Sequence, residues 1–82
     1  MLFLLGCAIK SSVVLIEAEQ TYSLIEQHKE VAPYEWNMSD QYIKKAREEY
    51  GTSQLEDAEI LARKSKEWAQ KVQKIAASKK GE

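Results

Sequence analysis

The sequence predicts an all-α protein built as a three-helix up-down-up unit. Three observations carry that reading. The chain is rich in Ala, Glu, Lys and Gln and holds only three glycines and one proline, a composition that favours helix. Its apolar residues recur in steps of three and four, rarely in alternation. Two short breaks, at Ala32-Pro33 and Gly51-Thr52, divide it into three segments. With 82 residues there is room for one domain with a small core.

The opening stretch, Met1 to Ile9, is an apolar run closed by Lys10, Ser11 and Ser12. It is shorter than the roughly 20 residues a membrane-spanning helix needs, and extension through Val13-Val14-Leu15-Ile16 would bury Lys10 in the bilayer at high cost. Leu4-Leu5-Gly6-Cys7 resembles the lipobox of bacterial lipoproteins. That resemblance implies cleavage before Cys7, a diacylglycerol on its sulfur and a membrane anchor worth about 0.8 kcal/mol per buried methylene. No Lys or Arg precedes the box, whereas a secretory signal opens with positive charge; the expectation is a start further upstream or numbering inside a longer precursor. The competing reading makes Met1 to Ile9 the apolar start of a helix, with Cys7 a small buried hydrophobe. Residues 1–11 are accordingly read as an anchor segment, 12–78 as the helical domain and 79–82 as a flexible tail.

The first helix is expected from about Ser12 to Val31, with Val14, Leu15, Ala18, Tyr22, Ile25 and Val31 or Ala32 on its inner face. It ends at Ala32 because a residue before proline is pushed out of the α region. Pro33 suits the first position of the second helix, expected over 33–50. Tyr34, Met38, Tyr42, Ala46 and Tyr50, spaced by four, form its expected core row, and Gly51 its left-handed C-terminal cap. Ser53-Gln54-Leu55-Glu56 reads as a capping box for the third helix. Leu55, Ala58, Ala62, Ser65, Ala69, Val72 and Ala76 alternate steps of three and four, flanked by Leu61, Trp68 and Ile75. Helices two and three, joined by so short a link, must form an antiparallel hairpin. The first helix then completes either a closed bundle or a flatter, tetratricopeptide-like stack.

From Ala32 to Ala76 the chain reads Ala-Pro-Tyr-Glu, Tyr-Ile-Lys-Lys-Ala-Arg-Glu-Glu, Tyr50, Ala58 and Leu61-Ala62-Arg-Lys. This pattern resembles the helical domain of small bacterial envelope lipoproteins grouped as domain of unknown function 4398. Members often begin with a lipobox cysteine. The resemblance implies a Gram-negative envelope location and supplies no catalytic residues. Ala8 follows the cysteine where an aspartate would direct inner-membrane retention, so the inner leaflet of the outer membrane is expected.

Chemistry is sparse. Twelve basic residues against thirteen acidic ones give a net charge of −1, without the basic excess of a nucleic-acid binder. One cysteine excludes an internal disulfide, and a single histidine, His28, has no second His or Cys nearby for zinc. No glycine-rich phosphate loop or Ser–His–Asp set is present. Asp40 and Glu56-Asp57 are read as helix-start acids that offset the dipole. The expectation is a non-enzyme with no cofactor beyond the lipid. A protein partner would be met through Trp36, Trp68, Tyr34 and Tyr42, since aromatic residues dominate interface hot spots; Trp68 is placed in the core and Trp36 partly outside it. Self-association remains open. Rival readings are a small subunit of a membrane assembly with an uncleaved N-terminus and a soluble helical interaction module.

Overall fold

The computed structural model describes residues 2–80, with side chains for 9–79. Among the described residues are three α-helices and no strand: α1 Leu2–Ile25, α2 Pro33–Gly51 and α3 Leu55–Lys80, with a 3-10 turn, Glu26–His28, between α1 and α2. They form a closed three-helix bundle 53 × 18 × 15 Å in extent. α3 packs along both other helices, and α1 touches α2 less than it touches α3.

α1 differs from expectation at both ends. Its backbone is helical from Leu2, so no break separates the apolar opening from the rest of the helix. It stops at Ile25, the last residue it sends into the core, well short of Val31. The polar stretch Gln27-His28-Lys29-Glu30 has nothing to bury, and the chain must turn within it to bring Ala32 back. The amides of Val31 and Ala32 both bond the carbonyl of His28 at 3.1 and 3.2 Å, closing that turn. Ala32 takes the extended φ of −137° that the following proline favours. It is buried against Ile25, Ala69 and Val72.

α2 begins at Pro33 as expected, and its first helical bond runs from the Trp36 amide to the Ala32 carbonyl, 2.9 Å. Its core face is not the expected row. Ser39, Asp40, Ile43 and Ala46 are buried, while Tyr34 is 63% exposed. Residues spaced strictly by four rotate about 40° per step around the helix, so the row starts off the core face at exposed Tyr34 and reaches it only toward its end, where Ala46 is buried as expected. Alternating steps through Trp36, Ser39, Ile43, Ala46 and Tyr50 stay on one side.

The α2–α3 turn also corrects the reading. Among the described residues no glycine has a positive φ, and the left-handed residue is Ser53, φ 65°. Ser53 bonds the Tyr50 carbonyl at 3.1 Å and Gln54 the Glu49 carbonyl at 2.8 Å, the paired bonds of a Schellman cap with Ser53 in the place glycine usually takes. Gly51 is simply the last helical residue. Ser53 therefore serves the end of α2 and forms no capping box, and the first bond of α3 is accepted by Gln54, from Ala58 at 2.9 Å.

The α3 seam is as expected: Ala58, Ala62, Ser65, Ala69, Val72 and Ala76 are all buried, with Leu55 partly so at its start. Two clusters form the core. One joins Ala18, Ile43, Ala46 and Ala62, and the other Ile25, Ala32, Ala69 and Val72. α3 continues to Lys80, so residues 79 and 80 are helical; 81 and 82 lie outside the described residues.

Candidate interaction surface

The two sides of the α2–α3 hairpin are chemically different. The side facing α1 is laced by polar contacts. Ser11 donates to the Leu55 carbonyl at 3.1 Å, and Ser12 pairs with the Tyr50 hydroxyl. Lys10 meets Glu59 at 3.6 Å and Lys66 meets Glu17 at 3.2 Å. Arg47 holds Glu19 bidentately, with its second bond at 2.6 Å. Tyr22 donates to Asp40 at 2.6 Å, and Lys44 sits 2.9 Å from the same carboxylate. Asp40 is thus not a helix-start acid but a buried group in the body of α2 that clasps α1.

This clasp shifts both partners. Burial, and then the Asp40 hydrogen bond, push the Tyr22 hydroxyl up to about 12. Burial would raise the Asp40 carboxyl, but the hydrogen bonds from Tyr22 and Lys44 outweigh it and hold it below the usual carboxylate range. Arg47 is raised chiefly by its hydrogen bond to Glu19, and Glu59 is lowered chiefly by Arg63.

The other side of the hairpin carries aromatic rings with lysines stacked over them. Tyr34 and Trp68 stand edge to face, with centroids 5.7 Å apart. Lys71 lies 4.0 Å from the Trp68 ring and Lys64 5.7 Å from the Tyr42 ring. Between them Met38, Gln41, Tyr42, Lys45 and Leu61 line a shallow concavity of about 310 Å³. Lys45, Lys64 and Lys71 form no ion pair among the described residues, although Glu67 stands four positions from Lys71. Tyr34, Tyr42 and Trp68, singled out in the sequence, therefore share one face.

Trp36 does not join them; it is partly exposed as expected, whereas Trp68 does not take the core place expected of it. Trp36 packs on the Ile25 and Val72 cluster, 6.0 Å from the Tyr22 ring and under Lys29 at 4.4 Å. Its Nε1 is buried without a hydrogen-bond partner. Trp68 is half-buried at the rim of the hairpin. The lysines of this face were not singled out, although Lys64, Trp68 and Lys71 stand at helical spacing on α3.

Leu4, Leu5, Gly6 and Cys7 fall on the helical backbone of α1, but their side chains lie outside the described residues. Because Ser11 bonds Leu55, the first residue of α3, the α1 backbone ahead of it runs past the 51–54 turn. Among the described residues no group of three or more His, Cys, Asp or Glu side chains is placed to hold a metal ion, and no helix is long and apolar enough to cross a membrane. The fold defines a small three-helix module with an aromatic and cationic face. Compared with protein-family models, with curated proteins and with solved structures, the chain matches none.

Proposed function

We propose that this chain is a lipid-anchored, non-enzymatic envelope lipoprotein, held by Cys7 and serving as a helical scaffold or adaptor. The observation that carries the reading is the order of events along α1. The lipobox-like Leu4-Leu5-Gly6-Cys7 comes first, and among the described side chains of α1 Lys10 and Ser11 bind Glu59 and the Leu55 carbonyl a few residues later. A lipid at position 7 would sit ahead of those contacts in the chain. The same contacts speak against carrying the helix through a bilayer, since Lys10, Ser11 and Ser12 are already engaged by the bundle. The resemblance to envelope lipoproteins agrees with this reading. Ala8 after the cysteine favours the inner leaflet of the outer membrane. The partner surface would be the face of Tyr34, Tyr42 and Trp68 with the lysines stacked over its rings, where rigid aromatics anchor a protein ligand.

Palmitate labelling of the full precursor in a Gram-negative host, with intact mass of the membrane-purified protein, tests the anchor. Label on a species beginning at Cys7, absent from Cys7→Ser, is expected. A Cys7→Ser protein that stays labelled and membrane-bound sinks the proposal. An unmodified full-length species in a complex would instead mark a membrane-assembly subunit, and absence from membranes a soluble module.

A further inference from the structure

α1 is apolar on both of its faces. Ser11, Ala18 and Ile25 are buried on the inner one, with Val14, Leu15 and Tyr22 packed beside them. On the outer face Ile9 is 63% exposed, Val13 48%, Ile16 55% and Leu24 57%. An exposed apolar strip on a helix whose opposite face packs into the core marks an interaction surface, so this outer face calls for an occupant. We infer that a second copy of this chain covers it, through parallel pairing of the two α1 helices about a two-fold axis.

The shape of the strip favours a helix over a lipid surface. Ile9, Val13, Ile16 and Gln20 follow one another in steps of four, three and four, the spacing of a two-stranded seam, and the first three are β-branched. The strip is narrow. Lys10, Glu17 and Glu19 border it and are drawn away by Glu59, Lys66 and Arg47 of the same chain. Among the described residues no charge crosses the strip, and Lys10 beside it is paired with Glu59 and so is not offered to anionic headgroups. A neutral seam is complementary to itself, which is what a two-fold interface requires.

Gln20 decides the direction. It is the single polar residue of the row, and in a parallel pair it meets its own counterpart, so each amide can both donate and accept. In an antiparallel pair of the same layers it would face Ile9 and leave its amide unpaired. Parallel pairing also leaves both N-termini at one end, as two anchors in one membrane would need. The inference deepens the adaptor reading by naming a second copy as one partner, but it rests on the exposed row and not on Cys7.

The test uses the unlipidated full chain carrying Cys7→Ser, so a failed anchor does not affect it. Light scattering after size exclusion, at micromolar protein, should give twice the mass of one chain. Adding Ile16→Glu should return the mass to one chain with the helical circular dichroism unchanged. If that variant loses its helical signal, Val13→Glu replaces it. A monomeric parent, an assembly above two copies, or a dimer indifferent to the glutamate overturns the inference. So does a monomer that floats with phosphatidylcholine vesicles and loses that binding with Ile16→Glu, which would make lipid the occupant. Gln20→Cys in the same background should form a disulfide-linked dimer under oxidised glutathione; a dimer that does not cross-link overturns the parallel arrangement.

Discussion

Ser39 and Ser65 each donate a hydroxyl to the other's backbone carbonyl, at 2.9 and 2.8 Å, across the α2–α3 contact. Both are fully buried. Their oxygens lie 3.1 Å apart, but each hydroxyl has one proton, so that contact is not a third bond while both carbonyls are served. The pair explains how a seam of small residues carries buried polar atoms at no loss of hydrogen bonding.

Truncation at this pair should therefore be mild and enlargement severe. Ser65→Ala is expected to cost under about 1.5 kcal/mol, because the lost bond is partly offset by the better helix propensity of alanine. Ser65→Leu and Ala62→Leu should each cost about 1–3 kcal/mol or more by overpacking a close helix contact. Urea unfolding of the four proteins measures this. A neutral Ala62→Leu would mean that the core face of α3 lies elsewhere.

The turn makes a prediction of opposite sign to the one the sequence suggests. A left-handed cap at Gly51 would make Gly51→Ala destabilising. In the structure Gly51 is helical, and nothing lies within 4 Å of an added Cβ. Gly51→Ala should therefore stabilise the protein by about 0.5–1 kcal/mol. Ser53→Gly should be neutral or stabilising by up to about 1 kcal/mol, since the left-handed conformation strains any residue with a Cβ. Thermal unfolding of both variants distinguishes the two caps.

The Tyr22–Asp40 clasp ties stability to pH at both extremes. The folded-state value of Tyr22 is raised from 10.0 to about 12, so its contribution is complete below pH 10 and is lost as pH climbs toward 12. Asp40 is lowered from 3.8. Its contribution is complete above that value and is lost as pH falls through the lowered one. Melting temperature followed against pH should show a shallower alkaline loss in Tyr22→Phe and a shallower acid loss in Asp40→Asn. Parallel curves for parent and variants would leave the clasp without energetic weight.

How much was legible depended on how far each feature is local. The α3 seam could be read because alternating steps of three and four through small residues define one face of one helix. The core face of α2 could not. Tyr34, Met38 and Tyr42 are larger and more apolar than Ser39 and Asp40, and only the presence of Ser65 and Tyr22 opposite makes those polar residues the buried ones. The candidate face was half legible. Tyr34, Tyr42 and Trp68 stood out as aromatics, but Trp36 did too, and nothing in the spacing alone sends it to the α1 side.

By itself the sequence determined the helix count, the break at Pro33, the hairpin of α2 on α3 and the whole buried row from Ala58 to Ala76. These follow from backbone preference and from periodicity within single segments. Tertiary structure alone decided that α1 ends at Ile25, that Ser53 rather than Gly51 turns left-handed, and that α1 keeps an apolar row facing outward. Each of those depends on where another helix sits. A side chain is inside or outside only relative to its neighbours, and three helices leave α1 one face with none.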